Sequence, residues 1–142
     1  MKRLGLICAA LALCACGDPR SPFLGMYEGN ATFVANWTGQ PSTTEQYTDQ
    51  VHVAPSKDGE HLYLSQLCGL PATVDRADRL ELGAVTCVQQ GGGCTFTWNV
   101  TGGSATLEGA LFTLQYAAAL VEDCAAGSLS ATTNTTIVAT RK

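Results

Sequence analysis

Residues 95–101 read TFTWNVT, and they form the clearest strand pattern in the chain. The apolar side chains Phe96, Trp98 and Val100 fall on every second position, with threonine and asparagine between them. Because successive side chains of a β-strand point to opposite faces of a sheet, this alternation predicts a strand with one apolar and one polar face. Such a strand packs one face on a core and leaves the other in water.

The same period of two extends along most of the chain. Residues 27–37 repeat it, and no window holds the 3.6-residue period of an amphipathic helix. Turn-forming residues separate the apolar stretches at 56–59, 76–79, 89–93 and 108–109. We therefore expect an all-β fold, an antiparallel meander of about seven or eight strands with a barrel-like shape.

Two local features refine this expectation. Residues 80–88 are predicted to form one continuous returning strand. The pair Gly102-Gly103 is predicted to bulge the strand that begins near residue 95, since glycine inside a strand often marks a bulge.

The chain starts with MKRLGLICAALALCAC, which has a positive beginning, a short apolar stretch and a closing cysteine. This ending resembles the lipobox of bacterial lipoproteins. The resemblance implies that residues 1–15 are a signal peptide and that Cys16 carries the lipid that anchors the protein in a membrane. Residues 16–24 would then be a tether and residues 25–142 the all-β domain. Because Gly17 and not aspartate follows the cysteine, the resemblance favours the outer membrane of the cell envelope.

Composition excludes some partners. The formal net charge is −4, and it becomes about −6 once Lys2 and Arg3 leave with the signal peptide. An acidic domain without a Lys/Arg cluster argues against nucleic-acid binding and against adhesion to an anionic lipid surface. We therefore expect membrane contact through the lipid alone.

Four cysteines remain beyond Cys16, and export favours two disulfides. Cys68 and Cys87 lie equally far from the turn at 77–78, and Cys94 and Cys124 lie equally far from Gly109. Residues at equal offsets face each other in a regular hairpin, so these two pairs are the favoured disulfides. The alternative is Cys87–Cys94 with Cys68–Cys124. In either case Cys16 is left without a partner, as a lipidated cysteine requires.

Catalytic and metal-binding motifs are lacking in the sequence. There is no G-x-S-x-G, H-E-x-x-H, P-loop or C-x-x-C pattern. His52 and His61 flank the 56–59 turn, and a nearby carboxylate would have to complete any metal site; we interpret both as solvated surface residues. We therefore expect a non-enzyme with no metal and no cofactor.

The segment Gly25-Met-Tyr27-Glu-Gly29, followed by a meander, is similar to the start of lipocalin-like lipoprotein domains. That resemblance implies a small apolar ligand in the mouth of the barrel. The aromatic residues Tyr27, Trp37, Trp98 and Tyr116 are the candidate ligand contacts. The alternative for these side chains is a filled core.

Three functions follow as hypotheses. The first is a non-catalytic envelope module that binds a partner of unknown identity. The second is a lipocalin-like carrier of a small apolar ligand. The third is a periplasmic inhibitor of a hydrolase, acting through a protruding loop at 89–93 or 122–127.

Overall fold

The computed structural model describes residues 17–142, so the predicted signal peptide and the predicted lipid site Cys16 lie outside the described residues. A short 3-10 helix spans Ser21–Phe23. No helix in the described part is long and apolar enough to cross a membrane. The strands are β1 (Gly25–Trp37), β2 (Thr43–Pro55), β3 (Leu62–Leu64), β4 (Leu70–Arg76), β5 (Arg79–Leu82), β6 (Val85–Gly91), β7 (Cys94–Glu108), β8 (Leu111–Cys124) and β9 (Gly127–Arg141).

The predicted all-β antiparallel meander is confirmed. The nine strands form one sheet in the order β5-β4-β3-β2-β1-β9-β8-β7-β6. An additional pairing between β5 and β7 closes the sheet into a ring, and β6 continues β5 along the same edge of β7. Seven of the eight pairs of consecutive strands are therefore hydrogen-bonded to each other, and β5–β6 is the exception.

The ninth strand arises because the predicted strand at 80–88 is interrupted at Gly83-Ala84. β5 ends at Leu82 and β6 begins at Val85. Both strands pair with β7, β6 along its first half and β5 along Gly103–Thr106. The expected bulge in β7 is confirmed, since the pairing with β8 shifts between Val100 and Gly102. The bulge shifts the register of β7 with β8, whereas β5 and β6 follow β7 in one unbroken register, since Leu82 lies opposite Gly103 and Val85 opposite Val100.

The main core fills one end of the ring. Tyr27 stacks on Phe112 with 4.3 Å between ring centroids, and its hydroxyl donates a hydrogen bond of 2.8 Å to the carbonyl oxygen of Phe23. Phe23 lies within the predicted tether, yet it is fully buried. Leucine, isoleucine, valine and alanine side chains, together with Tyr116, complete this cluster. The chain that follows Cys16 therefore enters the fold at this packed end.

Both favoured disulfides are confirmed, and the alternative pairing is wrong. Cys94 and Cys124 are direct register partners on β7 and β8, as equal offsets in a hairpin predict. Cys68 lies in the loop between β3 and β4, and it bonds to Cys87 of β6. Because β4 pairs with β5 and β6 continues β5 along β7, this second bridge ties the loop before β4 to its neighbour β6.

Candidate functional site: an aromatic pocket at the open end

Unequal strand lengths leave the ring closed at one end and open at the other. β1, β7, β8 and β9 have 13 to 15 residues, whereas β3 and β5 have 3 and 4. β3 extends along β2 only at Val53–Pro55, and β5 extends along β7 only at Gly103–Thr106. We call the end with the complete ring the closed end. The open end, where β1, β8 and β6 finish and β2, β9 and β7 begin, exposes the inner face of the long strands.

A pocket of about 370 Å³ lies on this inner face. Its size is within the range of small-molecule sites, about 300–1,000 Å³. Six of its lining side chains are aromatic, and they come from β1, β2, β7 and β8. The lining residues are Phe33, Trp37, Glu45, Tyr47, Leu67, Phe96, Trp98, Tyr116, Leu120, Glu122 and Thr135.

Strand alternation explains why these residues share one cavity. Phe33 and Trp37 have the same parity as the buried Tyr27 of β1, so they point to the same face of the sheet. Toward the closed end that face is packed, but toward the open end β3, β4 and β5 no longer cover it. Phe33 and Trp37 are therefore buried only in part: they pack against a small second cluster of Ala35, Leu120 and Ala131 and border a cavity.

Hydrogen bonds orient some of these rings. The indole N–H of Trp37 donates to Thr43 Oγ1 at 3.1 Å, which fixes this ring beside the start of β2. The indole N–H of Trp98 is buried and finds no hydrogen-bond partner among residues 17–142. Burial raises the pKa of Tyr116, although a hydrogen bond with Thr135 acts in the opposite direction. Its phenol is therefore a neutral group at physiological pH.

Carboxylates accompany the aromatic rings. Glu45 lies opposite Phe33 in the β1–β2 register, and Glu122 lies opposite Phe96 in the β7–β8 register. Both line the pocket. Asp49 shares the inner face of β2, and its charge contributes to the raised pKa of Tyr116, behind the larger effect of burial. The pocket thus combines apolar walls with negative charge.

Three of the four predicted ligand contacts, Trp37, Trp98 and Tyr116, line this pocket. Tyr27 does not, because its ring lies in the closed-end core with no exposed surface. At the open end, Trp37 and Trp98 both border the pocket and pack against a small buried cluster of Ala35, Leu120 and Ala131, so their role as ligand contacts stays a prediction.

The remaining lining residues were not among the predicted ligand contacts. For some of them, the strand alternation pointed to the inner face of the sheet. Glu45 has the parity of Tyr47, and Glu122 has the parity of Tyr116, so both were assignable to the inner face once the strands were known. Leu67 carried no such signal. It lies in the loop after β3 with φ 53°, a left-handed conformation that few non-glycine residues adopt.

The histidines do not form a site together. His61 Nδ1 lies 2.9 Å from Asp58 Oδ2 within the turn, whereas His52 lies beside Ser65, whose Oγ accepts its backbone N–H. Cys94, Cys124 and Glu122 also approach one another. The two sulfurs are bonded to each other, so this group offers a metal a single carboxylate.

Comparison with protein families, with curated proteins and with solved structures finds no significant match for this chain. The pocket is therefore interpreted from its own chemistry.

Proposed function

We propose that this chain is a lipid-anchored, non-catalytic binding protein of a bacterial cell envelope, and that the pocket at its open end takes a small apolar ligand. The observation that carries the proposal is the cavity itself. Six aromatic side chains, among them both tryptophans of the chain, surround about 370 Å³ where a sheet interior is ordinarily packed. Apolar walls with a few polar groups are typical of small-molecule sites.

The first described residues, which follow the predicted anchor, lie at the closed end of the domain, and the pocket lies at the open end. Phe23 is buried in the closed end, and the backbone N–H groups of Phe23 and Ser21 bond to carbonyl oxygens just before them. Arg20 adds a side-chain bond to the carbonyl oxygen of Gly59 in the β2–β3 turn. A lipid on Cys16 would hold the closed end toward the membrane, and the pocket would face away from it.

The shape of the hairpins supports a carrier over an inhibitor that acts through a loop. β6 and β7 are joined by residues 92–93, and β8 and β9 by residues 125–126. Both connections are two-residue turns, so neither of the two segments considered for an inhibitory loop protrudes from the sheet.

Ligand binding is tested with N-phenyl-1-naphthylamine, an uncharged apolar probe that fluoresces in apolar sites. We expect saturable binding at one site per chain. In Phe96→Ser, which removes one pocket wall, affinity falls about ten-fold or more, since burying such a ring contributes about 1.5–3 kcal/mol. The matched control is Val88→Ser on the neighbouring strand β6, where the side chain is 61 % exposed outside the pocket. Non-saturable uptake, or equal losses in both variants, would overturn the proposal.

The anchor is tested separately by metabolic labelling with a radioactive fatty acid. We expect the wild-type protein to be labelled and to sediment with membranes. Cys16→Ser should abolish both properties, and Cys14→Ser should keep them. Labelling that survives Cys16→Ser would exclude Cys16 as the anchor and leave the pocket unaffected.

A further inference from the structure

We infer that the ligand of the aromatic pocket carries a positive charge: the site fits a hydrophobic cation, such as an organic ammonium group attached to an apolar body. This inference rests on the proposed function, since it names the chemistry of the ligand for the same pocket. Three independent features of the described residues support it.

The first feature is the placement of carboxylates inside the pocket. Glu45 and Glu122 line it from β2 and β8, strands that β1 and β9 separate in the sheet. Asp49 lies one inward position beyond Tyr47 on β2. None of the three makes an ion pair with another residue of the described range. Glu45 is exposed, whereas Asp49 and Glu122 are half-buried, so a cationic ligand in the pocket would meet carboxylates that no basic side chain neutralises.

The second feature is the distribution of basic residues. Residues 17–142 contain six lysines and arginines, because Lys2 and Arg3 account for the other two of eight. All six lie toward the closed end, in the N-terminal segment, in the β2–β3 and β4–β5 turns or at the end of β9. They are Arg20, Lys57, Arg76, Arg79, Arg141 and Lys142.

The ion pairs between lysine or arginine and acidic residues in the described part of the chain also lie toward the closed end. Arg20 pairs with Asp18, Arg79 with Asp75 and Lys142 with Glu28, all away from the pocket. The segments 30–52, 83–104 and 112–138 form the open half of the sheet. They contain no lysine or arginine. The field at the pocket is therefore negative, and it attracts cations while disfavouring anions.

The third feature is the aromatic wall. The face of an aromatic ring carries negative charge density and attracts a cation, with about 0.5–1 kcal/mol per contact when exposed and about 2 kcal/mol when desolvated. Six such rings line the cavity, and the carboxylates lie among them. Aromatic cages of this kind bind alkylated ammonium groups, whose methyl groups contact rings and whose charge meets the ring faces.

A matched series of probes tests the inference. The three probes share a decyl chain and differ in the head group: decyltrimethylammonium, 1-decanol and decyl sulfate, each below its micelle-forming concentration. Displacement of N-phenyl-1-naphthylamine reports their affinities. We expect the ammonium probe to bind about ten-fold or more tighter than the alcohol, and the sulfate to bind most weakly.

The charge requirement is tested with Glu45→Gln/Glu122→Gln. This double variant should lose the preference for the ammonium probe and keep its affinity for N-phenyl-1-naphthylamine. The matched control is Asp123→Asn, which removes an acidic residue adjacent to Glu122 in β8 on the outward face of the strand, and it should retain the preference.

The outcomes separate the two proposals. If N-phenyl-1-naphthylamine does not bind at one site, the proposed function fails. If it binds but the ammonium probe is no tighter than the alcohol or the sulfate, the inference about the cation fails and the apolar pocket stands. A preference that persists unchanged in the double variant would also overturn the role of the two glutamates.

Discussion

Phe33 of β1 and Trp98 of β7 meet edge to face, with 6.0 Å between their ring centroids and 66° between their planes. Two strands, β9 and β8, separate β1 from β7 in the sheet. The contact therefore crosses the interior of the curved sheet and does not run along its surface. It forms one side of the aromatic pocket and helps to set the distance between the pocket walls.

This contact predicts a measurable coupling between the two residues. Edge-to-face pairs contribute about 0.5–1.5 kcal/mol beyond the area that they bury. In a double-mutant cycle with Phe33→Leu and Trp98→Leu, we expect an interaction free energy of that size, measured by urea unfolding. The reference cycle is Phe33→Leu with Val88→Ser, which should be additive because Val88 lies outside the pocket. Additivity in both cycles would contradict the contact.

The disulfide between Cys94 and Cys124 predicts a large stability effect at the open end. It closes a hairpin of sequence separation 30 and joins the strands that carry Phe96, Trp98 and Glu122. Cys94→Ala/Cys124→Ala should lower the free energy of unfolding by about 2–4 kcal/mol. Peptide mapping without reductant checks the pairing, and chemical denaturation measures the loss. A mapped Cys87–Cys94 peptide would contradict the fold at this end.

Gly103 lies where the ring closes, opposite Tyr116 of β8 and Leu82 of β5. A Cβ at this position would lie 2.8 Å from the Tyr116 Cα and 2.9 Å from the Leu82 Cδ1. Gly103→Ala should therefore destabilise the protein by about 1–3 kcal/mol through overpacking.

Gly91 is the matched control for that substitution, because a Cβ there meets no atom within 4 Å and its backbone is not in the left-handed region. Gly91→Ala should change the free energy of unfolding by less than about 0.5 kcal/mol. Thermal denaturation of both variants measures the difference. Equal stability of the two variants would argue against the close approach of β5, β7 and β8.

The β2–β3 turn predicts a dependence of stability on pH. The Asp58 carboxylate accepts hydrogen bonds from the Ser56 hydroxyl, from two backbone N–H groups and from the His61 ring, and these contacts hold its pKa well below its usual range. An acid with a depressed folded pKa stabilises the fold above its unfolded pKa of about 3.9, and this contribution is lost as the pH falls toward the folded value.

Asp58→Asn should therefore lower the melting temperature at pH 7, and the difference from wild type should shrink as the pH falls below about 4. Glu60→Gln, in the same turn, is the control, because the Glu60 side chain takes part in none of these bonds. A difference that stays constant between pH 7 and pH 2 would show that the charge of Asp58 is not responsible.

Much of the architecture was predictable because it depends on local, periodic signals. The alternation at 95–101 and 27–37 predicts strands, glycine-rich stretches predict turns, and equal offsets from those turns predict both disulfides. The split at Gly83-Ala84 was not predictable in this way. β5 and β6 keep one register along β7, and the ladder is interrupted only opposite the bulged residues Thr101 and Gly102, where the Gly83 N–H bonds to the Pro71 carbonyl oxygen instead.

The pocket was predictable only in part, for a related reason. Parity assigns Trp37, Trp98 and Tyr116 to the inner face, but it assigns Tyr27 to the same face. The depth of each residue in the ring decides whether it lines a cavity or fills a core. That depth depends on how far the short strands β3 and β5 extend along the long ones, which no local pattern encodes.

The most direct test of the aromatic pocket uses the tryptophans. Trp37 and Trp98 are the two tryptophans of the chain, and both line the pocket, so a ¹H–¹⁵N correlation spectrum has two indole N–H signals and both report on it. On titration with N-phenyl-1-naphthylamine, we expect both signals to shift and saturate with the same dissociation constant. Binding that moves backbone signals elsewhere and leaves both indole signals unchanged would contradict the account.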